Sequence, residues 1–244
     1  MAAQQEGLVA QESLRLALDG EPIDADELAA PCGGRWQVLD VPAGRFELAY
    51  SATVTGRARP PAVDPVEEIG FLHASRYAES DRLLAFARGQ FSGIGRGHEL
   101  LVAVRQWVNS RLYYLSGWSR ATDGAVDTML AGQGVCRDFA HLVVALLRAL
   151  DVPARVAAVY APGLSPMDFH AVAEAAIDET WRVVDATLLA PRRGLVRIAT
   201  GRDAADTAFM SNFGGEVTLL DVQVTATTDD TLPLDDITEL VTIA

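Results

Sequence analysis

The sequence predicts an α+β protein in which a β-rich N-terminal region precedes a mixed domain built on one apolar helix and an antiparallel sheet. Three observations carry this. Residues 1–60 hold runs that alternate apolar and polar side chains between Gly, Pro and Asp turns, as half-buried strands do. Residues 80–150 change to a helical period. Residues 154–225 return to short strand-like runs separated by turns. The chain has 244 residues, 50% hydrophobic and 22% charged, which is globular composition and enough for one large domain or two small ones.

In the first region, 8–10 and 14–18 read as short strands and 19–22 as a turn. Residues 36–41 and 46–55 are further strands on either side of Pro42-Ala43-Gly44. Phe46, Leu48, Tyr50, Ala52 and Val54 alternate with period two, so a small sandwich-like sheet is expected. Residues 57–68 hold Pro60, Pro61 and Pro65 and few large apolar side chains. The expected division is a β-rich region over 1–60, a linker over 61–70 and a second domain over 71–244.

Ser80 can cap a helix running to about Gln90. Residues 92–97 carry three glycines with no strand before them, so they form a turn rather than a phosphate loop. A helix is predicted over 98–113, where Leu101, Val104, Trp107, Val108 and Leu112 recur every three or four positions. A loop over 116–123 and a short helix over 125–131 follow. The run 139–150 is rich in Ala, Leu and Val and lacks Gly and Pro, which predicts a buried helix stopped by Asp151-Val152-Pro153. Strands are predicted at 154–160, 169–177, 181–186, 195–199 and 217–225, with a loop or short helix at 201–210. The acidic stretch 229–239 reads as an edge or tail.

The formal charge is −13, with 33 acidic and 20 basic residues. This argues against nucleic acid and against an anionic membrane surface as partners. No apolar run reaches the ~18 residues of a membrane span. Met1 to Ser13 lack a basic cluster followed by an apolar core, so a secretory signal is not expected and the expected location is the cytoplasm. There is no Cys/His cluster with zinc spacing, and neither a metal nor a cofactor is expected. Two cysteines far apart in sequence do not make a disulfide framework. One reactive thiol is the more natural reading. Cys32, in a Pro-Cys-Gly-Gly turn, has no activating neighbour in its sequence surroundings.

Cys136 does. It follows Gly132-Gln133-Gly134-Val135 and leads into the apolar helix, where free backbone N–H groups and the positive end of the helix dipole favour a thiolate. A cysteine nucleophile needs a base and a group that orients it. His73 and His98 are expected to be structural or exposed. His141, five residues after Cys136, is not at a same-face spacing and reads as a core or supporting residue. His170 starts one strand and Asp185 ends the next. With a two-residue turn at Asp178-Glu179, His170 faces Thr187 and Val172 faces Asp185, so His170 and Asp185 are diagonal neighbours roughly 7–8 Å apart on one face. A three-residue turn would put them on opposite faces.

The order of a helix-leading Cys, then His and Asp on a hairpin, resembles the bacterial transglutaminase-like superfamily and its cysteine peptidase group. Gly-Gln-Gly-Val-Cys-Arg-Asp-Phe-Ala-His-Leu (132–142) resembles the family's Cys motif. Asp168-Phe169-His170-Ala171 with Glu174 resembles its His motif, and Val184-Asp185-Ala186-Thr187 its Asp motif. Leu150-Asp151-Val152-Pro153-Ala154-Arg155 resembles the usual helix exit, and Arg197-Ile198 with 201–206 a downstream segment. The sequence departs at Val172, where an aromatic residue is frequent, and at Leu188-Leu189, where relatives often carry His-Asn. The resemblance implies a papain/transglutaminase-like core with Cys136, His170 and Asp185 as catalytic residues. It implies cysteine-dependent acyl transfer on a peptide or protein amide through a thioester, without a cofactor. Hydrolysis, as in a protease, is the favoured outcome over transfer to an amine. Tyr113, Tyr114, Trp118 and Gln133 are the candidates for a second oxyanion donor beside the Cys136 N–H. The rival reading is a non-catalytic protein-binding module that keeps the fold.

Overall fold

The computed structural model describes residues 3, 9–56, 62–229 and 231–243. Leu8, Pro60 and Pro61, used in the expectations above, lie outside them. Strand β1 (Val9–Leu18) is one long strand rather than the two short ones expected, because Gln11 to Ser13 pair in register with β5 despite their polarity. Asp19 and Gly20, both at positive φ, turn the chain into β2 (Glu21–Pro22). Strands β3 (Asp26–Ala29) and β4 (Arg35–Val38) flank the tight turn Pro31–Gly33, and β5 (Phe46–Val54) returns antiparallel to β1. The strands on either side of Pro42-Ala43-Gly44 therefore do not pair with each other. The sheets are β2-β1-β5 and β3-β4.

The expected linker contains a helix, α1 (Pro65–Gly70). Asp64 Oδ1 accepts from the N–H groups of Val66 (2.7 Å) and Glu67 (3.3 Å), and Pro65 fits the first turn, where its missing N–H costs nothing. In α2 (Ser80–Gln90) the cap position belongs to Glu79, and Ser80 is the first helical residue, buried. Helix α3 (His98–Arg111) ends two residues earlier than expected, and Tyr113–Tyr114 forms a short strand, β6. After α4 (Ala125–Ala131), β7 (Gln133–Gly134) runs parallel to β6.

Helix α5 (Cys136–Ala149) starts three residues before the apolar run, so Cys136 is itself its first residue. From Asp138 to Ala149 every residue is buried, as an all-round apolar helix must be. One face of α5 packs on a four-stranded antiparallel sheet of β8 (Ala154–Tyr160), β9 (His170–Ile177), β10 (Thr180–Val184) and β11 (Val196–Gly201), in the order β10-β9-β8-β11. Helices α2, α3 and α4 pack against the rest of it, and Leu142, Val143, Leu146 and Leu147 fill the core between. A short helix, α6 (Ala204–Thr207), follows β11.

The strand expected at 217–225 does not form. Val217, Leu219, Leu220 and Val222 are exposed, and among the described residues no strand pairs with this stretch. The acidic end, by contrast, is docked. Val183 N–H donates to Val241 O (2.7 Å) along β10, and the Arg192 guanidinium binds the Asp235 carboxylate (2.9 Å) and Asp236 O (2.7 Å). Among the described residues no helix is long and apolar enough to cross a membrane.

Candidate active site

The start of α5 is built by backbone geometry. Gly132 ends α4 in the left-handed region (φ 67°), a position glycine tolerates. Gly134 must be small, since a Cβ there would lie 2.7 Å from the Asp138 side chain. Asp138 Oδ2 reaches back to accept from Val135 N–H (2.8 Å), so one free N–H at the helix start is satisfied. Its other oxygen accepts from Ser119 Oγ (2.9 Å), which ties the 116–120 loop to the helix. Burial pushes the Asp138 carboxyl above the usual range, against these hydrogen bonds.

The hairpin has the two-residue turn. Asp178 and Glu179 both take positive φ (51° and 56°), as a tight hairpin turn demands, and Thr180 pairs with Ile177. His170 and Asp185 consequently meet, both buried, with Nε2–H donating to Asp185 Oδ2 at 3.0 Å. Asp185 Oδ1 accepts from Thr187 N–H (2.8 Å) and Thr187 Oγ (2.7 Å). Burial works to raise the Asp185 carboxyl, but the His170 and Thr187 hydrogen bonds prevail and hold it below the usual range.

His170 Nδ1 is buried and has no hydrogen bond of ordinary geometry among the described residues. The Cys136 thiol bears on the same ring. Burial acts to lower the imidazole pKa; the Asp185 hydrogen bond and the nearby Asp185 and Cys136 groups outweigh it and bring it to about 10. The site thus favours an imidazolium between a carboxylate and a sulfur.

Of the four oxyanion candidates, Tyr114 is the one brought against Cys136. It lies near enough for the two groups to interact, although it is 44% exposed; partial burial, then the Cys136 charge, push its phenol to about 12. Tyr113, next to it on β6, points outward and is 80% exposed. Gln133 joins Tyr113 through the backbone of β7, and Trp118 sits half-exposed in the loop before α4. His141 is buried in the core, stacked on Tyr77 with ring centroids 5.4 Å apart, and its Nε2 accepts from Ala204 N–H (3.1 Å). Burial drives its pKa down to about 3, so the ring is neutral. His73 and His98 are not in the site; neither is Cys32, whose thiol burial and the Glu67 charge raise to about 11. Among the described residues no group of three or more His, Cys, Asp or Glu side chains is arranged to hold a metal.

Sequence reasoning missed two contributors. Thr187 was legible in principle, because a Thr two residues after an Asp is a familiar local hydrogen-bond spacing. Asp138 was legible as an acid at the third helical position.

The sequence pattern of the transglutaminase-like superfamily matches residues 85–186, a span that includes Cys136, His170 and Asp185. A solved structure of a candidate cysteine protease from Cytophaga hutchinsonii is 35% identical, covers 94% of this chain and 86% of its own, and superposes with a TM-score of 0.78. The chain belongs to the transglutaminase-like superfamily. An uncharacterised protein of Mycobacterium leprae is 34% identical over 70 residues, 28% of this chain and 25% of that protein. The chain thus matches about a quarter of the length of this curated relative. The periplasmic domain of TgpA from Pseudomonas aeruginosa is 22% identical with a TM-score of 0.43, covering 63% of this chain and 60% of that domain. The mixed helical and antiparallel-sheet architecture, with a cysteine opening the central helix, is that of a transglutaminase-like protein.

Proposed function

We propose that the chain is a cysteine hydrolase of peptide or amide bonds. The observation that carries this is the buried His170–Asp185 pair whose ring also interacts with Cys136 at the start of α5. Cys136 Sγ passes its proton to His170 and attacks the carbonyl carbon, a C–S bond forms, and the carbonyl π electrons move to oxygen. The Cys136 N–H and the Tyr114 O–H receive that oxyanion; a phenol whose pKa is about 12 keeps its proton at neutral pH and can donate. His170 gives its proton to the leaving nitrogen as the C–N bond breaks. Water then attacks the thioester, His170 takes its proton, and sulfur leaves. Asp185, fixed by Thr187, holds the ring and offsets its charge throughout. The similarity to a protein named as a candidate cysteine protease supports hydrolysis over transfer to an amine.

The test pairs chemistry with turnover. Iodoacetamide at about pH 6–7 is expected to modify Cys136 well before Cys32. Cys136→Ala and His170→Ala are each expected to lower kcat/KM on a peptide substrate by about 10³-fold or more. Equal labelling of the two thiols, or undiminished turnover by Cys136→Ala, would leave the binding-module reading in its place.

A further inference from the structure

We propose that an open cleft lined by Tyr77, Arg137, Ala208, Asn212 and Phe213 is a substrate subsite for a carboxylate-bearing residue. It rests on the reading that Cys136 works on an amide substrate, and it names the chemistry of that substrate. The cleft has a volume of about 430 Å³, within the range of small-ligand sites. Small side chains and two aromatic rings line it, and the one cation in the lining is Arg137, the residue immediately after Cys136.

Arg137 is held in place. Its Nη2 donates to Ser119 Oγ (2.5 Å) and Arg120 O (2.8 Å), and Nε lies buried 3.8 Å from Asp138 Oδ1 without a hydrogen bond. Nη1 makes no hydrogen bond among the described residues, and the side chain is about a third exposed. A fixed, partly open guanidinium is pre-organised for a carboxylate. The carboxylates nearby are already engaged. Asp138 accepts from Val135 N–H and Ser119; Asp203 accepts from Tyr77 N–H (2.9 Å) and Ala205 N–H (2.9 Å). Asp206 pairs with Arg202, and Asp123 accepts from Arg120 N–H.

Two links tie the cleft to the chemistry. Arg137 follows Cys136 directly in the chain, and the segment whose Ala208 and Phe213 line the cleft also carries Phe209, which stacks at 5.8 Å on Phe169, the residue before His170. The net charge of −13 opposes an anionic ligand only at long range. Exposed charges are screened beyond about 8 Å at physiological salt, so the group in contact decides.

The carboxylate can come from an acidic side chain or from a free C-terminus, and the experiment separates them. Full-length Cys136→Ala, which binds without turning over, is titrated calorimetrically with three Ala/Gly-based peptides. One carries a Glu and an amidated end, one a neutral side chain and a free C-terminus, and one is neutral and amidated. One of the first two is expected to bind at least about tenfold tighter than the third. Adding Arg137→Met, or Ala208→Trp to fill the cleft without touching the guanidinium, should bring it down to the third. Equal affinities for all three peptides overturn the proposal, as does a loss in Arg137→Met that is the same for all three. Because the readout is binding, absence of turnover by the unaltered protein would sink the hydrolase reading separately.

Discussion

His170 makes the most specific demand on the surrounding chemistry. The folded ring keeps its proton up to about pH 10, whereas the unfolded chain releases it near 6.5. Between those values the folded state holds more protons, so this contribution to stability is complete below pH 6.5 and fades as the pH rises to 10. Catalysis that needs the imidazolium should fail over the same upper range. The expected result is an alkaline limb in kcat/KM centred near pH 10, and a limb near 6.5 would mean the ring is not held by Asp185 and Cys136. Asp185 works from the other side. Its lowered pKa keeps the carboxylate ionised at neutral pH, and that part of the stability is lost only in acid. At this scale much was legible. The residue types of the proposed triad and their spacing stand in the sequence. The choice between Tyr113 and Tyr114 did not, because adjacent strand residues point to opposite faces and only the pairing of β6 with β7 decides which lies nearer Cys136; Tyr114 is the less exposed of the two.

At the scale of elements, two short pieces of backbone decide the site: the hairpin turn at Asp178-Glu179 and the Gly134-Val135 entry to α5. The first was open to reading because the gap between two alternating runs permits only a few turn lengths. One residue more would have sent His170 and Asp185 to opposite faces. The second carries a sharp prediction. Gly134→Ala puts a methyl within 2.7 Å of Asp138, so the cap on Val135 must give way. The expected cost is about 1–3 kcal/mol in urea unfolding, together with a fall in kcat, since the same cap orients the first turn that holds Cys136. No loss in either quantity would show that the entry has slack. The run at 217–225 marks the limit of this kind of reading. Alternation reports an available apolar face, but a strand also needs an edge to pair with, and the edge of β10 is already taken at Val183 by Val241.

On the scale of the whole molecule, a buried ionic cluster ties the parts together. Glu174 on β9 is fully buried and binds Arg155 of β8 (2.9 Å) and Arg197 of β11; Arg155 also reaches Glu67 of α1 (3.4 Å) and lies 4.0 Å over the Trp181 ring. Arg155 and Glu174 each occur within a recognisable motif, yet nothing in the sequence says that strands from three segments bring them together. Glu174→Ala would leave Arg197 without its carboxylate and Arg155 with Glu67 alone. A loss of about 3–5 kcal/mol is expected in the denaturant midpoint, with Cys136 alkylation below the transition little changed. A loss under about 1 kcal/mol would show that solvent reaches the cluster. Cys32 lies at the margin of this cluster, where the turn of residues 31–33 meets β11 and the Glu67 and Arg155 charges act on its thiol. That placement makes Cys32 a clock for the seam between the N-terminal sheets and the rest of the chain. Its thiol is only partly buried and its raised pKa slows its reaction, so a change in its modification rate in the native protein would report loosening of that seam while the core stays folded.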